Sequence, residues 1–115
     1  MADNSNAVPL ITYGYSQPHT AVHTAVSNTD YTALASDTII GFTSLSANRT
    51  VALPPAASVP AGKQLIIKDE LGSCAPSRTI TVSGTIDGAP NVVLNSAHAK
   101  LHVYSNGTAW SRIGG

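Results

Sequence analysis

The chain has 115 residues, only 10% of them charged, with six basic side chains against six acidic ones. That length suits one domain around a single core, and the even charge balance leaves no electrostatic footprint for DNA, RNA or an anionic membrane. An average soluble domain is about 25% charged; here Ser and Thr supply 25 residues and Ala 16, so the expected surface is neutral and hydroxyl-rich.

Residues 1–26 read as an extended N-terminal attachment arm. Pro9, Gly14 and Pro18 discourage helix there, yet Val8, Leu10, Ile11, Tyr13 and Tyr15 are too apolar for an idle tail. The opening Met1-Ala-Asp-Asn-Ser-Asn lacks the basic and apolar regions of a signal peptide, and no run reaches the length of a membrane span. A soluble product with no membrane partner is expected.

Residues 27–115 break into short runs rich in β-branched residues, separated by turn residues, as in an all-β sandwich or barrel. The predicted strands are Tyr31–Ala35, Thr38–Thr43, Arg49–Leu53, Gln64–Asp69, Thr79–Ser83, Asn91–Leu94, Leu101–Ser105 and Thr108–Ile113. Between the third and fourth, Pro54, Pro55 and Pro60 exclude a central strand, leaving a long connection with room for a helical turn at Ala56-Ala57. Alternation is clearest around Ile80 and Val82, which share one face while the threonines beside them share the other. Leu65-Ile66-Ile67 is continuously apolar, so cover on both faces is expected, from the core and from another subunit.

The single cysteine, Cys74, excludes an internal disulfide, and its setting Gly72-Ser73-Cys74-Ala75-Pro76 reads as a surface loop. Lys68 and Asp69 are expected to make a structural ion pair or inter-strand contact. Asp87-Gly88 reads as a tight turn, with Gly88 free to take positive φ.

Asn106-Gly107 suits the type I′ turn of a two-residue hairpin. That register sets Ser105 opposite Thr108, Val103 opposite Trp110 and Leu101 opposite Arg112. Leu101, Val103 and Trp110 then form an apolar face, with Ile80 and Val82 as further core. Core packing is the expected role of Trp110, ahead of ligand stacking. His102, Tyr104 and Ile113 fall on the opposite face.

Taken in order, Leu53-Pro54-Pro55-Ala56, Gly62-Lys63-Gln64-Leu65-Ile66-Ile67-Lys68-Asp69-Glu70, Thr79-Ile80-Thr81-Val82, Thr85-Ile86-Asp87-Gly88 and Tyr104-Ser105-Asn106-Gly107-Thr108-Ala109-Trp110 resemble a β domain recurrent in bacteriophage fibre proteins. The resemblance spans about Ser27 to Gly115. It implies a trimeric, non-enzymatic structural module of a tail fibre, head fibre or capsid decoration, made in the host cytoplasm and carried on the virion.

The fold class so expected is all-β: a small antiparallel β-sandwich or barrel-like domain with an extended arm, assembling as a trimer. Ile66, His102, Tyr104 and Ile113 are its candidate interface. The absence of shaft repeats or coiled-coil heptads points to a module attached directly, its arm gripping the major capsid protein or another virion protein. The alternative is a tail-fibre or receptor-binding module for a host surface glycan.

His19 and His23, and His98 and His102, stand four apart, but neither pair carries the glutamate of a zinc-hydrolase helix or nearby carboxylates to complete a metal site. There is no Gly-x-Ser-x-Gly turn and no phosphate loop at Gly62-Lys63. No catalytic residue, metal, cofactor or nucleic-acid partner is expected. Asn48-Arg49-Thr50 and Asn106-Gly107-Thr108 read as turns rather than glycosylation sites.

Overall fold

The computed structural model describes residues 21–115. Those residues are almost entirely β, with no α-helix among them. The strands are β1 (His23–Ser27), β2 (Tyr31–Thr32), β3 (Ile39–Ser44), β4 (Arg49–Ala52), β5 (Gln64–Asp69), β6 (Ile80–Ile86), β7 (Ala89–Leu94), β8 (Lys100–Ser105) and β9 (Trp110–Gly114). A short 3-10 turn, Ala56–Ser58, occupies the proline-rich connection. The strands form one curled sheet in the order β1-β3-β5-β8-β9-β6-β4-β2, with β7 paired to β6 off that path. The result is a barrel-like, nearly closed domain. The arm residues Val8, Leu10, Ile11, Tyr13 and Tyr15 lie outside the described residues, as does His19.

The expectation of antiparallel pairing is corrected for the first half of the domain. Only β5–β8, β6–β7 and β8–β9 are antiparallel. The pairs β1–β3, β3–β5, β2–β4 and β4–β6 are parallel, as is the single rung between β6 and β9. The first six strands therefore make three stacked coils of a short β-solenoid, β1, β3 and β5 in one wall and β2, β4 and β6 in the other. Parallel neighbours need a crossover. Here each crossover is a strand in the facing wall, so no helix appears in the sequence to advertise it.

The short links 28–30 and 45–48 are corners between the walls. Asn28 takes φ +49° at the first corner; its Oδ1 accepts from Ser46 N at 2.8 Å and Arg49 Nε at 3.3 Å. Asp30 Oδ1 accepts from Thr50 N at 3.0 Å, and Asn48 Oδ1 from Thr79 N at 3.0 Å. These short polar side chains tie each coil to the next at the bend, where the strand ladders do not reach.

Inside, the register lines up Val26 with Phe42, and Ile40 with Ile67 and Leu101. Opposite them, Val51 pairs with Val82. Ile40, Phe42, Val51, Leu65, Ile67, Ile80, Val82, Leu101 and Val103 are fully buried, with Ile86 and Trp110 nearly so. Each such side chain contributes about 1.5–3 kcal/mol relative to exposure. Because Val26 extends this core, residues 23–26 belong to the folded sheet rather than to the arm with which their composition groups them.

The hairpin at Asn106 also differs in register. Ser105 pairs with Trp110, Tyr104 with Ser111 and Val103 with Arg112, and a bulge then sets His102 opposite Gly114. The loop therefore holds four residues, 106–109. Asn106 Oδ1 accepts from Thr108 N, Thr108 Oγ1 and Ala109 N at 2.9–3.0 Å, while Asn106 N donates to Ala109 O at 3.0 Å. The Asn106 side chain folds back onto its own turn, and only Gly107 takes positive φ, +97°. The type I′ geometry appears instead at Asp87-Gly88, with φ of +50° and +80° between the paired residues Ile86 and Ala89.

Candidate interaction surfaces

Two carboxylates that would attract suspicion in an active site are committed to the backbone. Asp69 ends β5 facing inward, fully buried, while its neighbour Lys68 faces outward, so of the two expected roles the ion pair does not form, whereas Lys68 does make an inter-strand contact, opposite Lys100. Asp69 Oδ1 accepts from Gly72 N and Ser73 N, each at 3.1 Å, and Oδ2 from Cys74 N at 2.8 Å and His98 N at 3.1 Å. Burial pushes its pKa up, but the amides of Cys74, Ser73, His98 and Gly72 together outweigh burial and hold it below the ordinary aspartate value. Asp37 accepts from Thr24 Oγ1 and Tyr31 Oη at 2.7 Å and from Leu34 N at 2.8 Å. Burial raises its pKa too, and the bonds from Leu34, Thr24 and Tyr31 with the charge of Lys63 bring it below the ordinary value. Neither role was read from the sequence: the hydroxyls that meet Asp37 come from β1 and β2, and Asp69 gathers Gly72, Ser73 and Cys74 just beyond it together with His98, far along the chain.

Cys74 is buried, which corrects its reading as a surface residue. Its backbone N–H is drawn onto Asp69, and the thiol follows it inward. Burial, followed by the nearby Asp69 charge, pushes the thiol pKa up to about 11. We expect native protein to react with a maleimide at least about 100-fold more slowly than urea-unfolded protein, since both the thiolate population and access fall. Equal labelling rates in the two states would contradict the buried placement.

His23 and His102 are engaged separately, each with its own partner. His23 Nε2 meets Glu70 Oε2 at 2.6 Å, and His102 Nε2 meets Gln64 Oε1 at 2.8 Å. His98 sits before β8 with φ +61°, so it does not share a strand face with His102. Among the described residues no three metal-ligating side chains gather at one point.

The fold collects the four candidate interface residues on one outer face. Ile66 is the register partner of both Ile39 and His102, and Tyr104 stands opposite Gln64 on β5 and Ser111 on β9. Ile66, His102 and Tyr104 are half-buried, and Ile113, in the bulge beside His102, is 53% exposed. Leu101, Val103 and Ser105 alternate with them and face the core.

Two further features depend on topology. β1 pairs only with β3, and β2 only with β4, so the first coil leaves both edges free among the described residues. Val22 and Leu34, beside this open end, are 52% and 55% exposed. Beyond the last coil, a cleft of about 550 Å³ opens between the end of β7, residues 95–99 and the β8–β9 pair, and it brings together Lys68, Lys100 and Arg112. Lys68 and Lys100, far apart in sequence, become partners through the β5–β8 register, and Arg112 lines the same cleft from β9.

No helix among the described residues is long and apolar enough to cross a membrane. Comparison with protein-family models and with curated proteins finds no match to this chain.

Proposed function

We propose that this chain is a structural virion protein of a bacteriophage: a capsid decoration or short head fibre, trimeric, and attached through its N-terminal residues to the major capsid protein or another virion protein. The observation that carries the reading is the asymmetry of the coil stack. One end is capped by β8 and β9, whereas at the other the outer edges of β1 and β2 have no partner among the described residues, beside the entry of the N-terminal segment, with Val22 and Leu34 exposed there. Free strand edges and apolar side chains are features that proteins ordinarily cover. Attachment at that end would cover them. The outer face bearing Ile66, His102, Tyr104 and Ile113 supplies the surface for the neighbouring copies, and the phage-fibre resemblance of residues 27–115 supports the setting.

Deleting residues 2–18 is expected to abolish incorporation into virions while leaving the thermal melt and the sedimentation of the purified trimer unchanged. Incorporation at the parent level would overturn the attachment. A second reading, a tail-fibre module that binds a host surface glycan, is favoured by the cationic cleft. Cryo-microscopy of labelled virions separates the two by location.

A further inference from the structure

The cleft beyond the last coil is cationic by construction. Lys68 and Lys100 are direct partners in the antiparallel β5–β8 pair, an arrangement in which like charges destabilise a sheet. Arg112 and His98 line the same cleft, and no side-chain carboxylate does. The nearby acids are turned elsewhere: Asp69 faces the core under four backbone amides, Glu70 meets His23, and Asp87 accepts the backbone N–H of Arg112 at 3.1 Å. Among the described residues no side-chain carboxylate offsets these cations; Gly115, the last residue of the sequence, sets its main-chain carboxylate against the Arg112 guanidinium, so the repulsion left uncompensated is that between Lys68 and Lys100.

The cations are also held apart. Lys68 Nζ donates to His98 O at 2.6 Å, and Arg112 Nη2 donates to Gly115 O at 3.0 Å, two different points on the wall. Lys100 donates to no acceptor among the described residues. Charge spread along a cleft suits a ligand with separated anionic groups better than a single phosphate, which favours a compact nest of donors. The volume lies within the usual range of small-ligand sites. Asn95 and Ser96 add hydrogen-bonding groups, and no Trp, Tyr or Phe lines the wall to stack on a neutral sugar.

We propose that this cleft binds an acidic saccharide, its carboxylates held by Lys68, Lys100 and Arg112 and its hydroxyls met by Asn95 and Ser96. The site stands independently of where the chain sits on a virion. It can be tested by titrating the full chain with tetragalacturonate, with maltotetraose as the neutral control and inorganic phosphate as the small-anion control, at low and high salt. Tetragalacturonate should bind at about millimolar Kd or tighter, weaken by about tenfold or more at high salt, and outcompete both controls. Lys100→Glu should lower that affinity by about tenfold or more with an unchanged thermal melt, while Lys100→Arg retains it. Should Lys100→Glu melt early, Arg112→Gln provides the same comparison. No binding of tetragalacturonate, equal binding of maltotetraose, or an unaltered affinity in a folded charge variant would overturn the site. Phosphate binding as tight as tetragalacturonate would overturn its assignment to a saccharide.

Discussion

Asp69→Ala is expected to lower the stability of the domain by about 3–5 kcal/mol in urea unfolding, a large share of the 5–15 kcal/mol that a domain of this kind has. The carboxylate is fully buried and accepts from Gly72, Ser73, Cys74 and His98. Three of these donors shape the corner between β5 and β6, and the fourth fixes the approach to β8. Hydrogen bonds to a charged acceptor contribute about 1.5–3 kcal/mol each, and some of the freed amides will recover water, so the total falls short of their sum. Asp69→Asn should lie between parent and Ala, since one oxygen still accepts while the new NH2 faces a backbone donor. A variant with parental stability would show that the loops hold themselves.

The same carboxylate sets an acid limb. Asp69 and Asp37 both have folded pKa values below the ordinary one. A group depressed in this way contributes stability that is fully present above its unfolded pKa, about 3.9 for aspartate. That contribution is lost as the pH falls through the lower, folded value. Parent protein should therefore lose stability steeply below about pH 4. Asp69→Asn should show a shallower loss over that window, the remaining slope coming from Asp37 and other carboxylates. A pH-independent difference between the two proteins would contradict the assignment.

The contrast between Lys68 and Asp69 illustrates what a sequence of this kind discloses. Strand positions and inward-facing residues follow from a period of two, which is why β5 begins and ends where the pattern places it and why Ile80, Val82, Leu101 and Val103 are interior. The partner of each strand does not follow. Leu65 and Ile67 would face the core equally well beside an antiparallel or a parallel neighbour, and three- or four-residue links suit hairpins as readily as solenoid corners. Features that depend on the partner stay hidden for the same reason. Lys68 meets Lys100 through register, and Asp69 finds His98 29 residues away. Asn48 was visible as a turn residue, but its staple, like those of Asn28 and Asp30, crosses from one coil to the next. At Asn106 the local chemistry was sound and incomplete: the side chain supplied three acceptor contacts and thereby drew two further residues into the loop.

Trp110→Ala should cost about 3–5 kcal/mol, the range for a large aromatic removed from a packed interior. Trp110 is 2% exposed and occupies the seam where the curled sheet meets itself. On one side it pairs with Ser105 of β8, on the other with Ile86 of β6, the only rung joining β9 to β6. Its Nε1 donates to Pro54 O at 2.9 Å, fastening the proline-rich connection over the same seam, and its carbonyl accepts from Asp87 N at 3.0 Å. Alanine would remove the ring and the Nε1–H together, leaving a void bordered by both walls. Trp110→Phe keeps much of the apolar surface and deletes the donor, so it should lose about 1–3 kcal/mol. Ile113→Ala, at a position 53% exposed, should stay within about 0.5 kcal/mol in the monomeric unit and serves as the control. Because the ring closes the seam locally, amide exchange in Trp110→Ala should speed up first at Asp87 and in residues 106–109, ahead of Ile40 and Ile67 at the centre of the coil stack. Uniform acceleration at all these sites would mean that the seam and the stack open as one unit, and that Trp110 stabilises the whole domain rather than its closure.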